Sequence, residues 1–160
     1  MENQKICIIG EGGVGKSSLI SLLQGIPIKN SRTPTIGLEI EDSILNGKKC
    51  SIWDLGGQER FRFMWKDFLR QSGLTVLVCD STQENLEKTK DILKRFSKHL
   101  DSKIIAIANK QDLDNALSPD TVEKKLGIKT YGMSAIRMDL RKRMCEILEY
   151  EIKDDLTTII

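Results

Sequence analysis

The sequence predicts an α/β fold: a six-stranded, mostly parallel sheet with one antiparallel edge strand and helices on both faces. Three observations lead there. Continuous apolar runs recur at Lys5–Ile9, Leu74–Cys79 and Ile104–Ala108, as expected of strands covered on both faces. Helical patterns separate them. And Asn46-Gly47 joins Leu38–Leu45 to Lys48–Leu55, a hairpin signal that makes one strand pair antiparallel. Strands alternating with helices imply three layers and right-handed crossovers.

In order, the first run stops at Gly10 and a helix is expected over Lys16–Gln24. The hairpin follows a long polar connection. A second helix is expected over Phe63–Gln71. The Leu74–Cys79 run ends at Asp80 and leads into a helix over Glu84–His99. The Ile104–Ala108 run ends at Asn109. Ser118-Pro119-Asp120 reads as an N-cap with Pro at the first helical position, opening a helix over Pro119–Leu126. A short strand, Thr130–Met133, completes the sheet. In the last helix, Met138–Ile152, Leu140, Met144, Ile147, Leu148 and Glu151 share one buried stripe. No repeat, low-complexity stretch or linker interrupts the chain, so residues 1–160 read as a single domain.

Composition narrows the function classes. Lys and Arg number 25 against 23 Asp and Glu, a net charge of +2, which argues against binding nucleic acid by bulk charge. With 39% hydrophobic and 30% charged residues the chain is neither disordered nor a polytopic membrane protein. No apolar run reaches the roughly 18 residues of a membrane span. The start of the chain lacks the pattern of a signal peptide. The four cysteines, Cys7, Cys50, Cys79 and Cys145, stand singly, which argues against zinc and fits a reducing cytoplasm. Cys7 and Cys79 read as small buried hydrophobes.

Ligands of such sheets bind beyond the carboxyl ends of the strands. The residues there carry chemistry. Gly10-Glu11-Gly12-Gly13-Val14-Gly15-Lys16-Ser17 fits G-x-x-x-x-G-K-[ST] between a strand and a helix. Its backbone N–H groups and the helix N-terminus suit phosphate oxygens. Lys16 is expected to reach the β- and γ-phosphates, and Ser17 to ligate Mg²⁺. Asp54-Leu55-Gly56-Gly57-Gln58 ends the hairpin. There Asp54 suits Mg²⁺, the Gly57 N–H suits the γ-phosphate and Gln58 suits an attacking water. Thr33 and Thr35 precede the edge strand. Thr35 is the better candidate for Mg²⁺ and γ-phosphate, because Gly37 and the strand follow it directly.

Asn109-Lys110-Gln111-Asp112 follows the third run. An Asp112 carboxylate accepts from the N1–H and 2-amino group of guanine, a donor pair that adenine lacks. Asn109 either holds the loop or reaches the base, and Lys110 lies along the ring. Ser134-Ala135 suits the guanine O6. Two basic clusters read more simply. Lys94, Arg95, Lys98 and His99 compensate a helix C-terminus, and Arg141-Lys142-Arg143 is a solvated face.

Together and in this order, Gly10–Ser17, Thr35, Asp54–Gln58, Asn109–Asp112 and Ser134-Ala135 resemble the Ras superfamily of small GTPases across nearly the whole chain. Pro34-Thr35-Ile36-Gly37, Trp53–Gln58 and Asn109–Leu113 are similar to Arf and Arf-like signatures. The loop Gly10–Ser17 and Gln58-Glu59-Arg60-Phe61 are more like Ras and Rab. The resemblance implies the P-loop small-GTPase (G-domain) fold and a switch that binds GTP or GDP with Mg²⁺ and hydrolyses GTP slowly without a partner. The nucleotide contacts implied are Glu11, Gly12, Gly13, Val14, Gly15, Lys16, Ser17, Ser18, Thr35, Gly57, Asn109, Lys110, Asp112, Ser134 and Ala135. Ser17, Thr35 and Asp54 are the Mg²⁺ residues, and Gln58 and Lys16 the catalytic ones. Leu38, Trp53 and Phe68 fall where Arf proteins carry an apolar effector patch. An exchange factor, a GTPase-activating protein and an effector would meet the switch loops of a cytoplasmic monomer. Arg32 resembles the in-cis arginine of heterotrimeric Gα subunits, with a solvated loop arginine as the plainer reading. Glu2 in place of Gly and a cysteine-free Leu156–Ile160 give no site for myristoyl or prenyl anchors, so membrane contact would run through a partner. A GTP-binding scaffold without hydrolysis is the alternative, and intact Thr35 and Gln58 argue against it.

Overall fold

The computed structural model describes residues 4–26, 35–100 and 103–157, the last five as backbone only. Six strands form one sheet: β1 Gln4–Gly10, β2 Leu38–Leu45, β3 Lys48–Leu55, β4 Leu74–Cys79, β5 Lys103–Ala108 and β6 Thr130–Gly132. Their spatial order is β2-β3-β1-β4-β5-β6, and only the β2–β3 pairing is antiparallel. Asn46 and Gly47 turn that hairpin with φ of 54° and 73°, the left-handed pair a two-residue hairpin needs.

Alternation along the strands splits the interior into two cores. Ile6 and Ile8 of β1 face α1 (Lys16–Gln24) and α5 (Arg141–Thr157), packing with Leu19, Leu22, Met144 and Leu148. Cys7 and Ile9 face the other layer, α2 (Trp65–Phe68), α3 (Gln83–Phe96) and α4 (Pro119–Leu126), packing with Trp65, Leu86 and Val122. Cys7, Cys50 and Cys79 are fully buried, and burial pushes their thiol pKa values up, so they behave as apolar filler. Ser118 caps α4, its Oγ accepting from the Thr121 N–H at 3.2 Å. No helix among the described residues is long and apolar enough to cross a membrane.

The expected helix Phe63–Gln71 is corrected. A 3₁₀ segment spans Glu59–Met64, and α2 is a single turn. The Trp65 indole N–H donates to Gly56 O at 3.0 Å, pinning the segment to the end of β3, and Gln71 leaves the helix with φ of 60°. Similarly, α3 ends at Phe96 with 3₁₀ turns over Ser97–His99, and 3₁₀ residues Met138–Leu140 precede α5.

Candidate functional site

The segments beyond the carboxyl ends of β1, β3 and β5 converge on one cavity of about 480 Å³. Gly12, Gly13, Gly15, Lys16, Ser17, Ser18, Thr35, Gly57, Gln58 and Lys110 line it, all of them residues that the sequence singled out.

The glycine-rich loop forms its floor. Gly15 takes φ of 103° as the residue capping α1, and a Cβ there would strike the Asn109 amide nitrogen. The Lys16 ammonium folds back over the loop, donating to Gly10 O at 3.1 Å and Glu11 O at 2.8 Å. Burial pushes its pKa down to about 8. Asp54 and Glu11 oppose that shift, while Arg62 adds to it. Glu11 and Val14 do not face the cavity with their side chains. The Glu11 carboxylate accepts from Asn85 Nδ2 at 2.9 Å and pairs with Lys88 at 3.4 Å, and Val14 is buried in the core.

Three oxygen-bearing side chains meet beside Lys16. Ser17 Oγ donates to Asp54 Oδ2 and lies 3.0 Å from Thr35 Oγ1, which itself donates to Asp54 Oδ2 at 3.3 Å. These are hard donors of the kind that suits Mg²⁺. The sequence separates them by 18 and 37 positions, and α1, the segment before β2 and the end of β3 bring them together.

Gly56 and Gly57 are there because nothing larger fits. The Gly56 N–H donates to Gly37 O at 2.8 Å, and a Cβ on Gly56 would lie 2.8 Å from Thr35 O. A Cβ on Gly57 would lie 2.5 Å from Lys16 Nζ and 2.6 Å from both Gly10 O and Gly12 N. Arg62 Nε donates to Gly57 O at 3.3 Å. Gln58 lines the cavity with its amide oxygen held by Arg60 Nε at 3.0 Å.

Asn109 is the brace of the second loop. It is buried, its Nδ2 donates to Val14 O at 2.9 Å, and its Oδ1 accepts the Ala135 N–H at 3.1 Å. Of the two roles the sequence left open for Asn109, the observed contacts match holding the loop. Lys110, at φ of 63°, donates to Gly13 O at 2.8 Å, and Ser134 Oγ donates to Asp112 Oδ1 at 2.6 Å. Asp112 and Ser134 line a separate hollow of about 190 Å³. So the glycine-rich loop, the 109–112 loop and the 134–135 turn form one hydrogen-bonded unit. Left-handed Lys110 is backbone strain of the kind that gathers at functional sites.

Sequence reasoning missed several supports. Ser81, with φ of 68°, donates to Asn109 O and accepts from Gln111 Nε2 at 2.8 Å. Asn85 receives the Asp80 N–H at 2.9 Å. A polar residue two positions past the end of the apolar Leu74–Cys79 run was the available signal for Ser81; Asn85 and Arg62 had none. Trp53 and Phe68 meet edge to face at 6.1 Å and, with Leu38, pack half-buried against the second core. Arg32 and Thr33 lie outside the described residues.

Comparison with known proteins agrees with this architecture. The family model of the ADP-ribosylation factors (Arf) matches residues 1–158. ADP-ribosylation factor-like protein 4D of Mus musculus is 34% identical over 82% of this chain and 69% of its own length. ADP-ribosylation factor-like protein alp41 of Schizosaccharomyces pombe is 30% identical over 84% and 74%. ADP-ribosylation factor-like protein 1 of Saccharomyces cerevisiae is 30% identical over 78% and 69%. The chain belongs to the ADP-ribosylation factor family of small GTPases.

Proposed function

We propose that this chain, as a single G domain over residues 1–160, binds GTP and GDP with Mg²⁺ and works as a cytoplasmic switch that hydrolyses GTP slowly. The observation that carries the reading is the meeting of Ser17, Thr35 and Asp54 beside the buried Lys16 amine, under a glycine pressed against the phosphate loop.

The N–H groups of Gly12–Lys16 and the Lys16 ammonium receive the β- and γ-phosphates, with Ser18 at the rim of the cavity. Ser17 and Thr35 would hold Mg²⁺ with Asp54 behind them, and the ion would supply positive charge against the charge that develops on the phosphates. The Gly57 N–H turns to the γ-phosphate. Gln58 orients the attacking water through its side-chain amide. That amide oxygen accepts from Arg60 Nε at 3.0 Å and keeps a second lone pair for the water.

Loss of the γ-phosphate removes the anchor of Thr35 and Gly57, and both loops relax. Partners then read the loops through Leu38, Trp53 and Phe68, and through Ile36, Ile40 and Phe63, which expose apolar surface beside them. An exchange factor and an activating protein act on the same loops. Asp112 selects guanine. It accepts from N1–H and the 2-amino group, with Lys110 along the ring and Ser134 holding the carboxylate.

The base-reading half is tested by Asp112→Asn. The amide offers a donor where the carboxylate only accepted, so affinity should pass from GTP to xanthosine triphosphate, whose 2-oxo group accepts. Unchanged GTP preference in a competition titration would contradict the assignment.

A further inference from the structure

A hollow of about 390 Å³ lies away from the nucleotide cavity, between α2 and the end of α3. Lys66 and Arg70 line one side, Lys98 and His99 the other. Dipole compensation accounts for Lys98 and His99 on their own helix. It does not account for the two cations facing them from another element. Packing brings the two pairs together: the Trp65 ring lies 5.0 Å from Phe96, and Phe96 lies 6.4 Å from His99.

Among the described residues, Asp67 is the carboxylate paired here, 3.5 Å from Arg70 Nη2. Against Lys66, Arg70 and Lys98 it leaves a local charge of +2, before any contribution from His99. A cluster of like charges repels itself and attracts a counter-anion. A carboxylate or a phosphodiester brings one negative charge. A phosphate monoester brings about −1.5 to −2, which matches the cluster, and its oxygens suit the two-pronged guanidinium of Arg70.

We propose that this hollow binds a phosphate-monoester group, carried either by a free phosphorylated sugar or by an inositol-lipid headgroup. The ligand bridges α2 to α3. Lys66 directly follows Trp65, whose indole holds Gly56 O at 3.0 Å, at the root of the loop carrying Gly57 and Gln58. Binding is therefore coupled to the state of that loop, and the loop reciprocally sets affinity for the anion. The coupling rests on the switch reading above. The site itself does not.

The test uses the full chain loaded with GDP and titrated calorimetrically with inositol 1,4,5-trisphosphate, a probe without a guanine. The exposed double variant Arg70→Glu/Lys98→Glu should bind it about tenfold or more weakly, with GDP affinity and melting temperature unchanged. Equal affinities, or no binding by wild type at millimolar probe, would overturn the site. Vesicles matched in charge separate the two sources. Preferential sedimentation with phosphatidylinositol 4-phosphate over phosphatidylserine assigns a headgroup, and binding of the soluble probe alone assigns a free metabolite. Equal sedimentation on both vesicles, with the variant unaffected, overturns the monoester specificity. Loading with a non-hydrolysable GTP analogue should shift probe affinity by about fivefold. An unshifted affinity overturns the coupling, whereas failure to load any guanine nucleotide counts against the switch reading and leaves the site to the probe titration.

Discussion

Removing the charge of Glu151 should destabilise the chain by about 2 kcal/mol, worked as follows. This carboxylate is 2% exposed on the inner face of α5. Lys103 Nζ and Lys129 Nζ each lie 3.1 Å from one of its oxygens, and the Tyr131 hydroxyl donates to it. Burial raises its pKa, but Tyr131, Lys129 and Lys103 together outweigh burial and hold it below the ordinary carboxylate value. Glu151→Gln keeps the volume and the tyrosine bond. It loses two charge-assisted contacts, each worth about 1.5–3 kcal/mol when buried. The lysine side chains are 22% and 49% exposed and can turn to water, so Lys129 counts for only about 0.5 kcal/mol and Lys103 for the low end of the buried range. The melting temperature should fall by roughly 4–8 °C for a domain of this size. Glu151→Ala also loses packing and should cost about 3 kcal/mol. Because the folded pKa lies below the unfolded one, this stabilisation is full above the unfolded value and is lost as pH falls through the folded value. Urea unfolding at fixed GDP, from pH 7 downward, should show the wild-type advantage over Glu151→Gln shrinking in acid. A neutral-pH difference under about 0.5 kcal/mol, or one that grows on acidification, would refute the reasoning.

Two further substitutions probe the site. Gly57→Ala puts a Cβ 2.5 Å from Lys16 Nζ and 2.6 Å from backbone atoms of Gly10 and Gly12, so the two loops must separate. The preference for a GTP analogue over GDP should drop by about tenfold in competition binding, and an unchanged ratio would contradict the close approach. Asn109→Ala strands Val14 O and the Ala135 N–H in the interior. It should cost about 2–4 kcal/mol by thermal unfolding and speed GDP release in stopped flow; a stable variant with slow release would show the brace to be dispensable.

What the sequence made legible follows from the range of the forces involved. The strands were readable because continuous apolar runs are a local signal, and the hairpin because Asn46-Gly47 supplies its own backbone conformation. The glycine-rich loop was readable because its residues are contiguous. The Phe63–Gln71 stretch was misread because its geometry is set from outside: the Trp65 indole is tied to Gly56, and that tie leaves one helical turn after a 3₁₀ segment. Glu151 was placed on a buried stripe by its spacing, but its partners Lys103, Lys129 and Tyr131 sit on β5 and around β6, 48, 22 and 20 positions away. Asn109 reaches Val14 across 95 positions, a contact that only the folded sheet creates. The hollow at Lys66, Arg70, Lys98 and His99 was half visible, as a basic helix end, until α2 closed its other side.

The central claim, that this chain hydrolyses GTP with a water oriented by Gln58, is tested most directly by single-turnover hydrolysis of prebound GTP with Mg²⁺, comparing wild type with Gln58→Leu. The account predicts a slow wild-type rate that falls by about a hundredfold in the variant while GTP affinity stays level. Equal rates in the two proteins, or no hydrolysis by wild type even with an activating partner, would contradict it.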